Sequence, residues 1–286
     1  MILQKEISTI AEASGVAKFT IDKDWALGHF IDAIYSIKQC RDNLIFKGGT
    51  CLKKCYFPDY RFSEDLDFTA TDPNFKLDKK LLNQITGLIT ERTEMPLHIQ
   101  ELKELRYKDQ LTGYAAQIKF WGADHPRNHT PPPPERWQTY IKIEIILYEE
   151  MIFSPVQKSV HHGYSDSLSE AANAIPCYTL QEVMAEKLRA LIQRSYTAPR
   201  DFYDIWYLSQ NEGELDWKEI SDAFHRKMKF KGLEFKGVDQ LINDDNDKQL
   251  LAAWKNSLAH QIPGELPDYV EIKEGLKSLL NSNLSK

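Results

Sequence analysis

The stretch FKGGTCLKKCYFPDYRFSEDLDF, residues 46–68, decides the fold of the first third of the chain. It continues a short apolar strand at residues 44–46, and the glycine pair that follows this strand predicts a turn. A helix is predicted over residues 51–56, and Pro58 ends it. The RFSEDLDF run then predicts a second strand, so the stretch indicates strand, turn, helix and strand in that order.

The second strand carries two acids in an otherwise hydrophobic run. Side chains alternate along a strand, so both acids share one face, and the members of that face are Arg61, Ser63, Asp65 and Asp67. The two carboxylates would stand about 7 Å apart along the strand. Hard divalent ions such as Mg²⁺ bind one or two carboxylates together with substrate phosphates. These residues alone leave two interpretations open, a solvated edge strand or a metal site.

The Gly48-Gly49-Thr50 turn lies upstream of the acids, between a strand and a helix. Glycines let backbone N–H groups approach a phosphate without a Cβ in the way, and Thr50 can cap the helix or bind a phosphate oxygen. A tight turn followed by an N-cap is the plainer interpretation. Neither a G-K-[ST] sequence nor a GxGxxG sequence is present, so a P-loop and a dinucleotide fingerprint are both excluded.

A third acid, Glu144, lies in the middle of the YIKIEIILY run at residues 140–148. The isoleucines of this predicted strand share one face, and Lys142 and Glu144 stand on the other. A carboxylate within so apolar a strand is costly unless it is paired or bound to a metal. A salt bridge and a third metal carboxylate are therefore the two alternatives.

Together these motifs resemble a known family. Gly48-Gly49-Thr50 followed by Arg61-x-Ser63-x-Asp65-x-Asp67 looks like the nucleotidyltransferase-fold signature, and FKGGTCLKK…YRFSEDLDF resembles the AbiEii/AbiGii-type toxin family. EVMAEKLRAL and PRDFYDIWYL resemble the later motifs of that family, so the resemblance runs from about residue 22 to residue 208. It implies an α/β (α+β) protein, with a mixed sheet flanked by helices and a C-terminal helical domain.

The resemblance also implies a function. The family transfers a nucleoside monophosphate from an NTP to an acceptor, with Mg²⁺ or Mn²⁺, as the toxin of a type IV-like toxin–antitoxin or phage-defence pair. The implied partners are the NTP, a tRNA acceptor and a cognate antitoxin. Gly48, Gly49 and Thr50 would hold the triphosphate, with Arg61 and Ser63 as further candidates on the acids' face. Asp65, Asp67 and Glu144 would bind the metal.

The later motifs add candidates from two predicted helices. Thr179 and Glu182 form a capping-box pattern that predicts a helix start at Thr179. On that helix Lys187 falls within the apolar face, which is expensive unless an anion meets it. The resemblance assigns Lys187 to nucleotide contact and catalysis, and a structural ion pair is the alternative. Candidates on the next helix are Arg200 and Asp201 for nucleotide binding and Asp204 for catalysis.

Bulk properties limit the class of protein. The chain has 286 residues, 42% of them hydrophobic, and a formal net charge of −6. The charge argues against a surface that binds nucleic acid indiscriminately, although the basic run at residues 225–231 could contact RNA. The N-terminus lacks the apolar core of a secretory signal and no window could span a membrane, so a cytoplasmic protein without membrane contact is expected. The four cysteines are expected to be ordinary buried thiols.

Two domains are predicted from the periodicity. A helix capped by Thr20 or Asp22 and then the strand-rich part belong to a catalytic domain, residues 1–165. Almost every later signal is helical, so residues 166–286 form a second domain that completes the site, with the boundary between 155 and 177.

Two other functions stay open at this stage. One keeps the fold and changes the acceptor, giving a small-molecule nucleotidyltransferase of the antibiotic-modifying type. The other is a catalytically idle nucleotide- or RNA-binding module, against which the intact Asp65 and Asp67 count.

Overall fold

The computed structural model describes residues 1–126, 128–194, 198–210, 215–242 and 247–284. The chain forms two compact units. The first comprises Met1–Glu149 and Pro155–Cys177, and the second comprises Glu150–Ser154 and Tyr178–Lys286. Within the described ranges, every helix is too short or too polar to cross a bilayer.

The first unit is a mixed sheet with helices. Its helices are α1 (Gln4–Ser14), α2 (Lys18–Ser36), α3 (Lys38–Asn43), α4 (Gly48–Cys51), which continues into a π-helical turn (Leu52–Tyr56), and α5 (Lys79–Thr93). Its strands are β1 (Leu44–Lys47), β2 (Asp65–Ala70), β3 (Leu97–Tyr107), β4 (Gln110–Phe120), β5 (Tyr140–Ile146), β6 (Val156–Lys158) and β7 (Ile175–Cys177). The strand order is β3-β4-β5-β2-β1-β7-β6.

Strand β2 lies at the centre of this sheet. It pairs antiparallel with β1 and parallel with β5, so both of its edges are hydrogen-bonded. The edge-strand interpretation of the two acids is therefore wrong. The strand begins at Asp65 rather than at Arg61, and Glu64 precedes it in an ion pair with Lys23 at 2.9 Å.

Helix α2 supplies much of the core of the first unit. Trp25, Phe30 and Ile34 are fully buried or nearly so. The helix begins at Lys18, ahead of both expected caps, and no side chain caps it. Asp22 is instead inside the helix, where its Oδ1 accepts the backbone N–H of Ala123 at 2.7 Å, in the loop after β4.

Strand β3 was not predicted from the sequence. It forms a hairpin with β4 through a two-residue turn, Lys108 and Asp109, both with positive φ. β3 lies at the sheet edge, and its charged side chains pair along the strand, as Arg106 does with Glu104 at 2.7 Å. Charged residues of this kind protect an edge strand from further pairing, and they also hide its strand pattern.

The second unit is helical, as its periodicity predicted. Its helices are α6 (Leu180–Gln193), α7 (Pro199–Ser209), α8 (Trp217–Phe230), α9 (Asp247–Leu258) and α10 (Tyr269–Asn283). Thr179 caps α6 by accepting the backbone N–H of Glu182 at 3.1 Å, which confirms the predicted start.

The Glu182 side chain does not complete the capping box. It accepts backbone N–H groups from Ile152 and Phe153, both at 2.9 Å, and forms a 2.6 Å ion pair with Lys227 of α8. The side chains of Glu182 and Lys227 are 1% and 0% exposed. This buried pair therefore fastens α6 to α8 and to the segment Glu150–Ser154.

Candidate active site

The glycine turn and the second acid of β2 are in direct contact. Gly48 has a φ of 80°, in the left-handed region that glycine adopts without strain. A Cβ at this position would lie closer than 3.0 Å to Oδ2 of Asp67. Glycine is therefore required twice over, by the backbone conformation and by the space that the carboxylate occupies.

The second glycine packs against the two other polar members of the predicted face. A Cβ at Gly49 would lie 2.9 Å from a guanidinium nitrogen of Arg61 and 3.0 Å from the Ser63 hydroxyl. Arg61 is buried, and its guanidinium also donates to the carbonyl of Phe62 at 3.2 Å. Both residues precede β2, so they reach the turn from an irregular segment rather than from the strand.

Thr50 connects the glycine turn to the backbone of β2. No side chain caps the short helix α4, and the Thr50 hydroxyl donates to the backbone carbonyl of Asp65 at 2.5 Å. Thr50 is buried, with 1% of its surface exposed. The expected helix cap is therefore wrong. The hydroxyl fixes the backbone of the first acid, and its contact with phosphate stays a prediction.

The sheet register gathers charges around Asp67. Lys47 of β1 lies directly opposite it on one side, and Glu144 of β5 lies opposite it on the other. The pKa of Asp67 is raised to about 6, chiefly by burial and also by the carboxylates of Asp65 and Glu144, against the lowering effect of Lys47. Three acids and the cation of Lys47 thus lie close together around Asp67.

Glu144 already has a partner. Lys142, which lies opposite Asp65, donates to Glu144 Oε2 at 2.7 Å. Burial would lower the pKa of Lys142, but its hydrogen bond with Glu144 and the two aspartates outweigh burial and raise it. The salt bridge considered as one alternative is present, and it engages Oε2 of Glu144.

In the second unit, Lys187 joins the two acids of α7. Its Nζ lies 2.9 Å from Asp201 Oδ1 and 2.6 Å from Asp204 Oδ2. Arg194 also pairs with Asp201, whereas Arg200 is exposed on the first turn of α7. The structural ion pair considered as the alternative for Lys187 is therefore present. Roles of Lys187, Arg200, Asp201 and Asp204 toward a nucleotide stay predictions.

The basic run at residues 225–231, in α8 and just after it, has fewer side chains available for RNA contact than its sequence suggests. Lys227 is fully buried in its pair with Glu182, and it also donates to the carbonyl of Glu150 at 2.8 Å. Arg226 pairs with the carboxylate of Glu150 at 2.7 Å. Two of its cations thus serve the fold of the second unit.

Sequence reasoning missed Lys47 and Arg194 as neighbours of the candidate residues, whereas it placed Lys142 on the same strand face as Glu144. Lys47 directly precedes the Gly-Gly pair, and a cation at the end of a strand that leads to a proposed anion site is a usable signal. The pairing of Lys142 with Glu144 could be expected from their i, i+2 spacing on one strand face. Arg194 had no such signal, because its contact with Asp201 depends on how α6 and α7 pack.

Comparisons with known proteins agree with this geometry. A family model described as nucleotidyl transferase AbiEii toxin of a type IV toxin–antitoxin system matches residues 29–278. The chain belongs to this family of nucleotidyltransferase toxins. No curated protein matches it.

Solved structures with the same fold include two bacterial proteins. MenT4, a nucleotidyltransferase toxin from Mycobacterium tuberculosis, matches with a TM-score of 0.56 and 17% identity over 100% of this chain and 89% of that chain. JHP933 from Helicobacter pylori matches with a TM-score of 0.51 and 16% identity over 94% of each chain. The expected mixed α/β nucleotidyltransferase fold is confirmed.

Proposed function

We propose that this chain is a metal-dependent nucleotidyltransferase toxin that transfers a nucleoside monophosphate from an NTP to tRNA and is restrained by a cognate antitoxin. One observation carries the proposal. Asp65, Asp67 and Glu144 lie on one face of two adjacent strands, and the left-handed turn at Gly48 leaves room for the carboxylate of Asp67. Partly buried acids gathered in this way repel one another, and a divalent cation removes that repulsion.

The donor set fits Mg²⁺ or Mn²⁺. Asp65 and Asp67 supply carboxylate oxygens, the ligand type of hard cations, and Glu144 could add a third through Oε1, since Lys142 engages Oε2. Burial chiefly, and the carboxylates of Asp65 and Glu144 in addition, raise the pKa of Asp67, and a bound cation would oppose that shift. Bound there, the ion would neutralise phosphate charge and favour ionisation of the acceptor hydroxyl.

The residues of the chain itself would position the reactants. In the transfer, the acceptor oxygen forms a bond to the α-phosphorus, the bond from that phosphorus to the bridging oxygen of the β-phosphate breaks, and pyrophosphate leaves. The backbone N–H groups of Gly48 and Gly49 would face the phosphates, and Arg61 beside them would supply positive charge. Thr50 would keep Asp65 in place through its hydrogen bond to the backbone.

Incubation of the purified protein with α-labelled NTPs and Mg²⁺ or Mn²⁺ tests the proposal. One arm contains total tRNA and a second contains aminoglycosides, so that the acceptor class is read directly. We expect label in tRNA, and a loss of at least about 100-fold in Asp67→Asn. The matched control, Glu101→Gln, changes an exposed strand acid and should transfer normally. Label in aminoglycosides alone would contradict the proposal that tRNA is the acceptor. No transfer in either arm would contradict the proposed nucleotidyltransferase activity.

A further inference from the structure

A second group of metal-ligating side chains lies outside the residues assigned to the nucleotide. It consists of His29 on α2 and of His162 and Asp166, in the segment between β6 and β7. One ligand atom from each lies within 4.8 Å of the other two. Nε2 of His29 is 3.0 Å from Asp166 Oδ2, and Nε2 of His162 is 2.9 Å from Asp166 Oδ1.

We propose that His29, His162 and Asp166 form a binding site for a divalent transition-metal ion, with Zn²⁺ as the best match. Two imidazole nitrogens and one carboxylate oxygen are a ligand set of Zn²⁺ and its first-row neighbours. Mg²⁺ prefers oxygen ligands alone, so this site would not compete for the ion of the nucleotide site.

The spacing of the ligand atoms suits a tetrahedral ion. Ligands at about 2.0–2.1 Å from zinc are about 3.3 Å apart in tetrahedral geometry. The separations of 3.0 and 2.9 Å join His29 and His162 to different oxygens of Asp166, so whichever oxygen binds the ion already lies near this spacing from one of the two nitrogens. His29 and His162 hold each other edge to face, with ring centroids 5.1 Å apart, so both ligands are preorganised.

Burial and access also suit a bound ion. The side chains of His29 and His162 are 4% and 6% exposed, whereas that of Asp166 is 26% exposed and leaves a path from solvent. Lys54 acts electrostatically on His162, and its own charge is paired with that of Asp24 at 2.5 Å. That ion pair removes most of the repulsion that Lys54 would exert on a cation.

The imidazole of His162 can change its tautomer without losing a second hydrogen bond. Its Nδ1 is buried against Gly28, where a Cβ would lie 2.6 Å away, and among the described residues this nitrogen has no hydrogen-bond partner. To donate to Asp166, the ring must carry its proton on Nε2. Moving that proton to Nδ1, as metal binding at Nε2 requires, breaks no other hydrogen bond of the ring.

The competing interpretation is a purely structural hydrogen-bond network. Trp25 Nε1 also donates to Asp166 Oδ2, at 3.0 Å, so this carboxylate accepts three N–H groups without any metal. A second possible metal group in the described chain consists of three buried thiols, Cys51, Cys55 and Cys177. An experiment must therefore separate the histidine site from both the network and the thiols.

Co²⁺ binding to the whole chain distinguishes a metal site at the histidines from a hydrogen-bond network and from a metal site at the thiols. Metal-free protein is titrated with Co²⁺, and its thermal unfolding is followed with and without Zn²⁺. We expect one equivalent of Co²⁺ with visible d–d bands and no thiolate charge-transfer band in the near ultraviolet. With Zn²⁺ about 100-fold above its dissociation constant, Tm should rise by about 5 °C or more.

Variants locate the ligands. His162→Gln and His29→Gln each keep a side-chain donor for Asp166, and each should weaken Co²⁺ binding by about 100-fold or more. Cys177→Ala should leave the cobalt spectrum unchanged. Two results from the wild-type protein alone would overturn the proposal, whatever the variants' stability: no cobalt bands, or a near-ultraviolet charge-transfer band. Binding that both histidine variants retain would overturn it as well.

Discussion

Replacing Gly48 with alanine tests the contact between the glycine turn and Asp67. At a φ of 80° an L-residue costs about 1–2 kcal/mol, and the new Cβ would lie closer than 3.0 Å to Asp67 Oδ2. Displacing the carboxylate adds about 1–2 kcal/mol of overpacking. We therefore expect Gly48→Ala to lower the free energy of unfolding by about 2–4 kcal/mol and to abolish nucleotide transfer.

Gly15 and Gly87 provide matched controls. Gly15 has a φ of 68°, and a Cβ added there would meet nothing within 4 Å, so Gly15→Ala carries the backbone strain alone, about 1–2 kcal/mol. Gly87 lies in α5 with open space around it, and Gly87→Ala should stabilise by about 0.5–1 kcal/mol. Urea unfolding followed by circular dichroism measures all three. If Gly48→Ala costs no more than Gly15→Ala, the carboxylate does not occupy the space beside the turn.

Three further predictions test other parts of the fold. Burial raises the pKa of Asp22 from 3.8 to about 7, so the folded state holds a proton that the unfolded state has lost, and stability falls as pH rises through this window. Between about pH 6 and about pH 8, the free energy of unfolding measured in urea should fall by about 1.4 kcal/mol more in the wild type than in Asp22→Asn. Equal losses would contradict the raised pKa of Asp22. Lys227→Met leaves a buried carboxylate unpaired and should cost about 3–5 kcal/mol by the same method, whereas the exposed Lys229→Met should stay within about 0.5 kcal/mol. Thr50→Val removes the hydroxyl that binds the backbone of β2 and should lower Tm, whereas Thr50→Ser should restore it; equal Tm values would show that this hydrogen bond is dispensable.

Local patterns predicted the elements that carry the candidate site. The alternation in RFSEDLDF placed both acids on one face, and the glycine pair predicted the turn between β1 and α4. The central position of β2 did not follow from these patterns, because strand order depends on pairing between distant segments. The same limit hid Lys47 as the neighbour of Asp67, a contact set by the register of β1 against β2.

Other differences between the sequence predictions and the structure arise where one sequence pattern is compatible with two structural roles. The charges of β3 suppress its strand signal because they protect an exposed edge. Thr50 satisfies the rule for a helix cap, yet its hydroxyl donates to the backbone of Asp65. Lys187 was correctly placed on the inward face of α6, but the angular spacing could not tell an ion pair with Asp201 and Asp204 from contact with a ligand.

The central claim is that Asp65 and Asp67 hold a divalent ion together with the NTP. Electron paramagnetic resonance of Mn²⁺, titrated in the presence of a non-hydrolysable NTP analogue, measures this directly. Wild-type protein should bind Mn²⁺ more tightly with the analogue than without it, and Asp67→Asn should weaken that binding by about 100-fold with an unchanged Tm. Equal Mn²⁺ binding by the wild type and Asp67→Asn would contradict the claim.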